Sequence, residues 1–414
     1  MGFEILKGTQ DFEPSKQIIL ENIFSMLKSK FQQFGFRPFD TPMIEYLDTL
    51  TYKYDVDAEI VNEVFKVKDR GDRELGLRYD LTTPLCRYVA MHRDLKKPFR
   101  RYHMAKVFRD GPIKKGRMRE FYQCDCDVVG VTGIGIEAEL LELFSACYKE
   151  LNIDAVVELN NHKILKGVFM QAGSSTDERE ISEYILCVDK LKKIKAEGVL
   201  KEITEKKLDV TVAKKALELF SAKSFIELEN IATNSLLKEG IIELRQLVEA
   251  ISGVVPYRLN FSMSRGLAIY TGNIWESYEA NDKIPSSLGS GGRYDNVIGE
   301  YQNSTDKIPA VGISIGIEPV MTVLESSVIT EGVTETLIVP LGEEFLAQTR
   351  ILARTLRSQG KNVEIFYGYK LPKGMEYAKY LGARELIVLG KRDIEAKKCI
   401  IKNLVTNVET TLSF

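Results

Sequence analysis

Two runs with a period of two, Tyr102 to Phe108 and Phe121 to Val129, flank the segment Arg109-Asp110-Gly111-Pro112-Ile113-Lys114-Lys115-Gly116-Arg117-Met118-Arg119. That spacing predicts an antiparallel hairpin, because successive side chains alternate across a pleated strand. In the second run Tyr122, Cys124, Cys126 and Val128 point one way, and Gln123, Asp125 and Asp127 the other. One face packs, and the other carries an amide and two carboxylates where a buried strand would be apolar. Arg109 ends the first strand, and Lys114, Lys115, Arg117 and Arg119 follow in the loop. Guanidinium forks match phosphate and carboxylate oxygens, so the hairpin suits an anionic, phosphorylated substrate above an acidic patch that accepts a cation or amine. Taken alone, a solvent-facing antiparallel hairpin with scattered charges is the plainer alternative.

The chain has 414 residues, beyond the size at which one hydrophobic core stops growing, so two or three domains are expected. A hydrophobic share of 44% with 28% charged residues excludes a disordered chain. A formal net charge of −2 leaves RNA binding to local basic surfaces. Cys86, Cys124, Cys126, Cys147, Cys187 and Cys399 are scattered and read as reduced core thiols. His92, His103 and His162, without paired cysteines, give no support to a zinc site, so no protein-bound metal is expected. No apolar run reaches the ~20 residues that span a bilayer, and Met1 to Pro14 lacks the pattern of a signal peptide. The expected compartment is the cytoplasm, with no membrane partner.

Apolar residues recur at helical spacing from Lys16 to Phe34, and Gly35 stands where a C-terminal cap belongs. The segment Phe36 to Glu45 carries two prolines, which suits an edge or irregular strand. Strands are expected at Val64–Val67 and Gly76–Asp80, then helices at Thr82–Met91 and Gly135–Leu151, with later strands at Phe261–Tyr270 and Ala310–Ile317. From about Leu165 to Gly253 the chain turns to charged, lysine-rich helices with few aromatic residues. Beyond Leu324–Glu335, strand and helix alternate as βαβαβ, which predicts a small parallel or mixed sheet with flanking helices. The domains expected are a core of residues 1–164 and 254–325, a helical insertion of 165–253 and a C-terminal α/β domain of 330–414.

Three further polar groups stand out. Gly289-Ser290-Gly291-Gly292-Arg293-Tyr294-Asp295 is glycine-dense, which fits either a plain turn or a close approach to a ligand. Arg265 lies in an otherwise buried stretch ending at Tyr270 and needs an anionic partner, either an internal carboxylate or a substrate. Arg78, Asp80 and Thr82 form the third set, and Asp80 with Thr82 also fits a helix cap.

In this order the motifs resemble a class II aminoacyl-tRNA synthetase, specifically the histidyl-tRNA synthetases of archaeal and eukaryotic type. The resemblance runs nearly end to end. It starts at Lys7-Gly8-Thr9-Gln10-Asp11-Phe12, passes Pro42 and Leu77-Arg78-Tyr79-Asp80-Leu81-Thr82-Thr83-Pro84, and takes in the hairpin and Arg265-Gly266-Leu267. It continues through Gly291-Gly292-Arg293-Tyr294-Asp295 and Ala310-Val311-Gly312, and the insertion segment Val188 to Ile194 and the C-terminal domain also fit. It implies an α+β fold, with an antiparallel-sheet catalytic core, the helical insertion and a C-terminal anticodon-binding domain. It also implies a homodimer that joins histidine to ATP as an adenylate, with Mg²⁺ bridging phosphate oxygens, and then passes the acyl group to the 3′ end of tRNA(His). By the same resemblance Arg109 and Arg265 are the catalytic pair on the ATP phosphates, and Arg117 takes the γ-phosphate. Asp80, Thr82 and Gln123 hold the α-ammonium, while Asp127 and Tyr270 read the imidazole. In the last domain Lys370, Lys373, Lys379 and Arg384 offer phosphate contacts or a solvated face.

The sequence departs from the family pattern at four places. Pro319 follows Gly316-Ile317-Glu318 where an arginine is usual, and Gly111 replaces the acid two places after Arg109. Ala268 and Ile269 stand where the family has an acidic residue and a tyrosine. Two rival readings therefore share the motifs: a synthetase paralogue that senses histidine as a regulatory subunit of ATP phosphoribosyltransferase, and an RNA-binding protein with a dead site. Retention of Arg109 and Arg265 together with the C-terminal domain favours the enzyme.

Overall fold

The computed structural model describes residues 3–52, 59–113, 118–265, 269–324 and 333–414. The chain divides into two compact units, Met1–Asp11 with Ile23–Ser326, and Phe12–Asn22 with Ser327–Phe414. The first helix, Pro14–Gln33, opens on a proline, whose missing N–H costs nothing there. It closes as the sequence predicts. Gly35 takes φ +78°, its N–H bonds the Gln32 carbonyl at 3.0 Å, and the Phe36 N–H bonds that of Phe31 at 3.0 Å, the paired closure of a Schellman cap.

In chain order the larger unit holds β1 (Arg37–Pro38), β2 (Ile44–Tyr46), β3 (Lys66–Lys68), β4 (Glu74–Leu77), β5 (Phe99–Phe108) and β6 (Glu120–Val129). It continues with β7 (Ala155–Asn161), β8 (Tyr257–Leu259), β9 (Asn273–Glu279), β10 (Gly289–Arg293) and β11 (Ala310–Gly316). One sheet runs β1-β5-β6-β11-β10-β9-β7-β8, and β2-β4-β3 form a small second sheet. In the large sheet only the edge pairs β1–β5 and β7–β8 are parallel. This is the antiparallel core that the motifs imply. On its packed face Cys124, Cys126 and Val128 are fully buried, as the period of two requires.

One expectation fails here, and one of two open alternatives is not realised. Phe261 to Tyr270 is irregular wherever it is described, and the strand begins only at Asn273. The reason is a side chain that takes over the ladder's work: Asn160 Nδ2 donates to the carbonyls of Phe261 at 2.9 Å and Met263 at 2.8 Å. The glycine-dense segment, readable as a turn, is instead the interior strand β10, because large rings crowd its neighbours. A Cβ on Gly292 would stand 2.7 Å from the Tyr270 ring, and one on Gly291 2.5 Å from Trp275 Nε1.

Between β7 and β8 come the helices His162–Ala172, Glu178–Val188, Leu191–Glu205, Val210–Leu219, Phe225–Ile231 and Ser235–Ile251. The last buries Ile241, Leu244, Leu247 and Ile251 and packs on β7 and on the helix Ile134–Glu150. Its apolar stripe thus belongs to the packing of the sheet.

The smaller unit holds β12 (Thr336–Pro340), β13 (Val363–Ile365), β14 (Glu385–Leu389), β15 (Lys398–Asn403) and β16 (Glu409–Ser413) in the order β13-β12-β14-β15-β16. The first three are parallel and the last two antiparallel, a mixed sheet. Alternation splits its core in two. Ile338, Ile387 and Leu389 pack with Leu352 and Leu356, whereas Leu337, Val339 and Leu386 pack with Ala378. The crossover helices Leu346–Ser358 and Leu371–Leu381 therefore cover opposite faces, the βαβ solution of a twisted sheet.

Candidate active site

Strand register builds the site floor. One row across the sheet reads Arg101, Asp127, Gly312, Gly292 and Ile274, and the next reads His103, Asp125, Ser314, Ser290 and Glu276. Ala105, Gln123 and Gly316 make a third. Side chains are long on β5, β6 and β9 and nearly absent on β10 and β11, so this face is a trough. From β6 to β9 is three strand spacings, about 14 Å.

Both arginines stand over this face. The Arg109 guanidinium lies 4.3 Å from the Tyr79 ring centroid and 4.9 Å from that of Phe121, and Phe121 shares the face of Gln123 and Asp125. Aromatic faces fix a guanidinium without neutralising it. Arg265 is 19% exposed and ion-paired to Glu276, which also accepts from the Tyr278 hydroxyl. Burial opposes the charge of Arg265, but Tyr270 and Glu276 outweigh it and raise its pKa, so this guanidinium is always charged. The internal carboxylate considered for Arg265 is thus present, on the opposite wall of the trough from the acids of β6.

The acids of β6 differ sharply. Asp127 accepts the Tyr294 hydroxyl at 2.5 Å through Oδ1, and its Oδ2 lies 2.7 Å from Arg101 Nη2, an ion pair without the alignment of a hydrogen bond. Arg101 is fully buried. Asp125, only 3% exposed, keeps Oδ1 without a hydrogen-bond partner among the described residues. Burial pushes its pKa up to about 7, against the pull of Arg101 and with the push of Asp127. Burial with the charges of Arg101 and Arg78 holds His103 neutral, at about 3. Its Nε2 lies 2.7 Å from Asp40 Oδ1.

Asp80 is 5% exposed and its Oδ1 accepts the Thr83 N–H at 2.7 Å, so the helix-cap alternative is realised. The same carboxylate still acts on Asp125 and Asp127, raising both. Thr82 opens the capped helix, Thr82–Met91. Gln123 Nε2 donates to Ser314 Oγ at 2.9 Å, and its buried Oε1 has no partner among the described residues. Tyr270, 9% exposed, is raised by burial and lowered by Arg265, with Asp125 and Asp127 acting on it from the floor. Asp80, Gln123, Asp127, Tyr270 and Arg265 are thus brought together. Arg117, with Lys114 and Lys115, lies outside the described residues, as does Ala268.

The departures have local explanations. A Cβ on Gly111 would fall 2.4 Å from Glu63 Oε1, so a carboxylate from another segment fills that space. Glu63 Oε2 accepts the Tyr79 hydroxyl at 3.1 Å beneath Arg109. Pro319 is the third residue of the helix Ile317–Leu324, where an N–H has no intrahelical acceptor to lose. Glu318 accepts the Tyr122 N–H at 3.0 Å, and burial pushes its pKa up to about 7. Arg101, Glu276 and Glu63 escaped the sequence reading. Arg101 alone had a signal, standing one residue before the predicted first strand of the hairpin.

The Histidyl-tRNA synthetase family profile matches residues 8–320. The chain belongs to the histidyl-tRNA synthetases. The profile of the Anticodon binding domain matches residues 335–414. Among relatives of this synthetase family, Histidine–tRNA ligase 2 of Shouchella clausii is 36% identical, with 100% of this chain and 98% of that protein covered. The crystal structure of histidyl-tRNA synthetase from Nostoc superimposes with TM-score 0.82 at 25% identity, over 100% of this chain and 97% of that one. A Bacillus halodurans structure described as ATP phosphoribosyltransferase regulatory subunit/histidyl-tRNA synthetase has TM-score 0.76 at 20% identity, over 94% and 98% of the two chains. At that identity it shows a shared fold only.

Proposed function

We propose that this synthetase is a histidine–tRNA ligase, which forms histidyl-adenylate from histidine and ATP on the trough and passes the acyl group to tRNA(His). The single observation carrying the reading is the pair of guanidinium groups, Arg109 and Arg265, over one polar sheet face whose acids lie between them. Arg109, on its aromatic platform, takes the α-phosphate and substrate carboxylate. Arg265, held ready by Glu276, stabilises charge developing on the transferred phosphorus, the preorganised electrostatics that nucleotidyl transfer needs. Asp80, Thr82 and Gln123 receive the α-ammonium, and Tyr270 with an acid of β6 receives the ring. Arg117 is assigned the γ-phosphate by resemblance alone. Magnesium comes with the nucleotide as part of the substrate, held by phosphate oxygens.

The acidic face and the full-length match to ligases support this reading over a histidine-sensing subunit, which has no use for two phosphate-binding arginines. The archaeal and eukaryotic type rests on the resemblance of the motifs along the chain alone, and the Shouchella and Nostoc relatives, which are bacterial, do not support it. The domain limits proposed are a catalytic core of 1–164 and 254–325, an insertion of 165–253 and an anticodon-binding domain of 330–414. A homodimer is supported by the outward apolar row Tyr46, Leu75 and Val67 on β2, β4 and β3, with Tyr46 55% and Val67 37% exposed. A cytoplasmic location is supported by six cysteines that are all buried and unpaired. No described helix is long and apolar enough to cross a membrane. The test is exchange of labelled pyrophosphate into ATP with each amino acid in turn. Exchange that depends on histidine is expected; histidine binding without exchange would move the protein to the sensing class.

A further inference from the structure

We propose that Lys192, in the helical insertion, is a positioning residue for Arg265: it neutralises Glu158 and so leaves Arg265 paired to Glu276 rather than drawn between two acids. The inference rests on the reading of Arg265 as the group that stabilises the transferred phosphorus. Glu158 on β7 and Glu276 on β9 are cross-strand partners in register, so two carboxylates share one sheet face with their Cβ atoms about 5 Å apart. Like charges placed so repel unless each has its own cation. Glu276 has Arg265. Glu158, 5% exposed, has Lys192 Nζ at 2.7 Å on Oε2 and Arg258 Nε at 3.3 Å on Oε1. Asn260 Nδ2 also donates to Oε2, at 2.7 Å, but brings no charge.

The insertion meets this wall at the corner between its helices Glu178–Val188 and Leu191–Glu205. Lys192 Nζ also lies 4.1 Å from the Tyr278 ring centroid, a cation on an aromatic face. The Tyr278 hydroxyl donates to Glu276, the carboxylate that pairs with Arg265. Burial, with the charges of Glu276 and Glu158, pushes the pKa of Tyr278 up, so the hydroxyl keeps its proton and remains a donor. A second tie runs from the same corner to the backbone. Ser264, the residue before Arg265, is 3% exposed, and its Oγ donates to Asp189 Oδ1 at 3.2 Å. Burial and Glu276 raise the pKa of Asp189, and Arg265 lowers it, which places this acid in the same electrostatic group. One corner of the insertion thus grips both ends of the arginine: Asp189 holds the chain that carries it, and Lys192 balances the acids that hold its guanidinium. Lys192 is 52% exposed, and ion pairs with an exposed partner add little to stability. Its loss therefore reads out in the site rather than in the fold.

The experiment compares the full-length wild type with Lys192→Met and with the double variant Lys192→Met/Glu158→Gln. The first substitution keeps an aliphatic stem and removes the charge; the second removes the carboxylate that this charge balanced. In histidine-dependent pyrophosphate exchange, kcat of Lys192→Met is expected to fall by about 10- to 100-fold, the scale on which a displaced catalytic group costs rate. KM for histidine and the melting temperature should stay unchanged. The double variant should recover most of the loss, which an ion pair serving only the packing would not do. Lys201→Met, at a side chain 79% exposed on the same helix, removes a like charge away from the corner and should match wild type. Exchange by Lys192→Met at the wild-type rate, or a loss that the double variant retains in full, would overturn the proposal. The Nε–H resonance of Arg265, assigned by its absence in Arg265→Lys, reads the guanidinium without turnover. It should shift in Lys192→Met and return in the double variant, and a resonance unmoved by Lys192→Met overturns the proposal as well. A wild-type chain that exchanges no pyrophosphate refutes the ligase reading, and this resonance then decides the positioning by itself.

Discussion

Asp125 and Asp127 differ by two residues and by almost everything else. Alternation along β6 makes their shared face legible in the sequence, but not their difference, which comes from Arg101 across the strand pair and Tyr294 just beyond the end of β10. The period of two places the start of this strand at Tyr102, whereas β5 starts at Phe99 and includes Arg101. A pH prediction follows from Asp125. Burial raises it from 3.8 to about 7, so the folded chain binds this proton more tightly than the unfolded one. Its contribution to stability is therefore most favourable below about 4 and declines as pH rises through the window up to about 7. In thermal melts the advantage of Asp125→Asn over wild type should grow from pH 5 to 7 and level off above; an advantage constant with pH would contradict this. Asp127→Asn, which leaves a buried guanidinium unpaired, should cost about 3–5 kcal/mol in denaturant titrations. A change under 1 kcal/mol would mean that Arg101 has another counter-charge.

At the scale of elements, helices and strands with regular apolar spacing were legible: Thr82–Met91, β5, β6 and the C-terminal βαβαβ series lie where periodicity puts them. Two elements were not. Phe261–Arg265 has strand-like residues, yet the side chain of Asn160, remote in sequence, satisfies its carbonyls. Strand β10 has the composition of a turn, yet its glycines answer to rings and carbonyls on β9 and β11 that no local window contains. The floor is thus a packing product. Gly312→Ala would push a Cβ into the Asp127 carboxylate, and overpacking of this kind costs about 1–3 kcal/mol. Gly135, in the helix Ile134–Glu150, has nothing within 4 Å of its Cβ position. Gly135→Ala should therefore leave stability unchanged or up to about 1 kcal/mol higher. Melting and histidine binding of the two variants should separate cleanly; equal effects would show that the floor is not close-packed.

For the whole molecule, the proposed function divides the work between the two units. The larger holds the trough, and the smaller matches an anticodon-binding domain over residues 335–414. Lys370, Lys373 and Lys379 are exposed at one helix of the smaller unit, Leu371–Leu381, beside Tyr380 at 79% exposure. Cations with an exposed ring suit an RNA backbone and its bases. Replacing the three lysines by glutamate should cut tRNA charging at least tenfold with pyrophosphate exchange unchanged, and equal loss in both would argue against a separate RNA-reading role. The central claim, that Arg109 and Arg265 act together on one nucleotide over the trough, has its most direct test in Arg265→Ala. Histidine-dependent pyrophosphate exchange should fall by at least about 100-fold while calorimetric histidine binding remains measurable. Exchange within a few-fold of wild type would contradict the account.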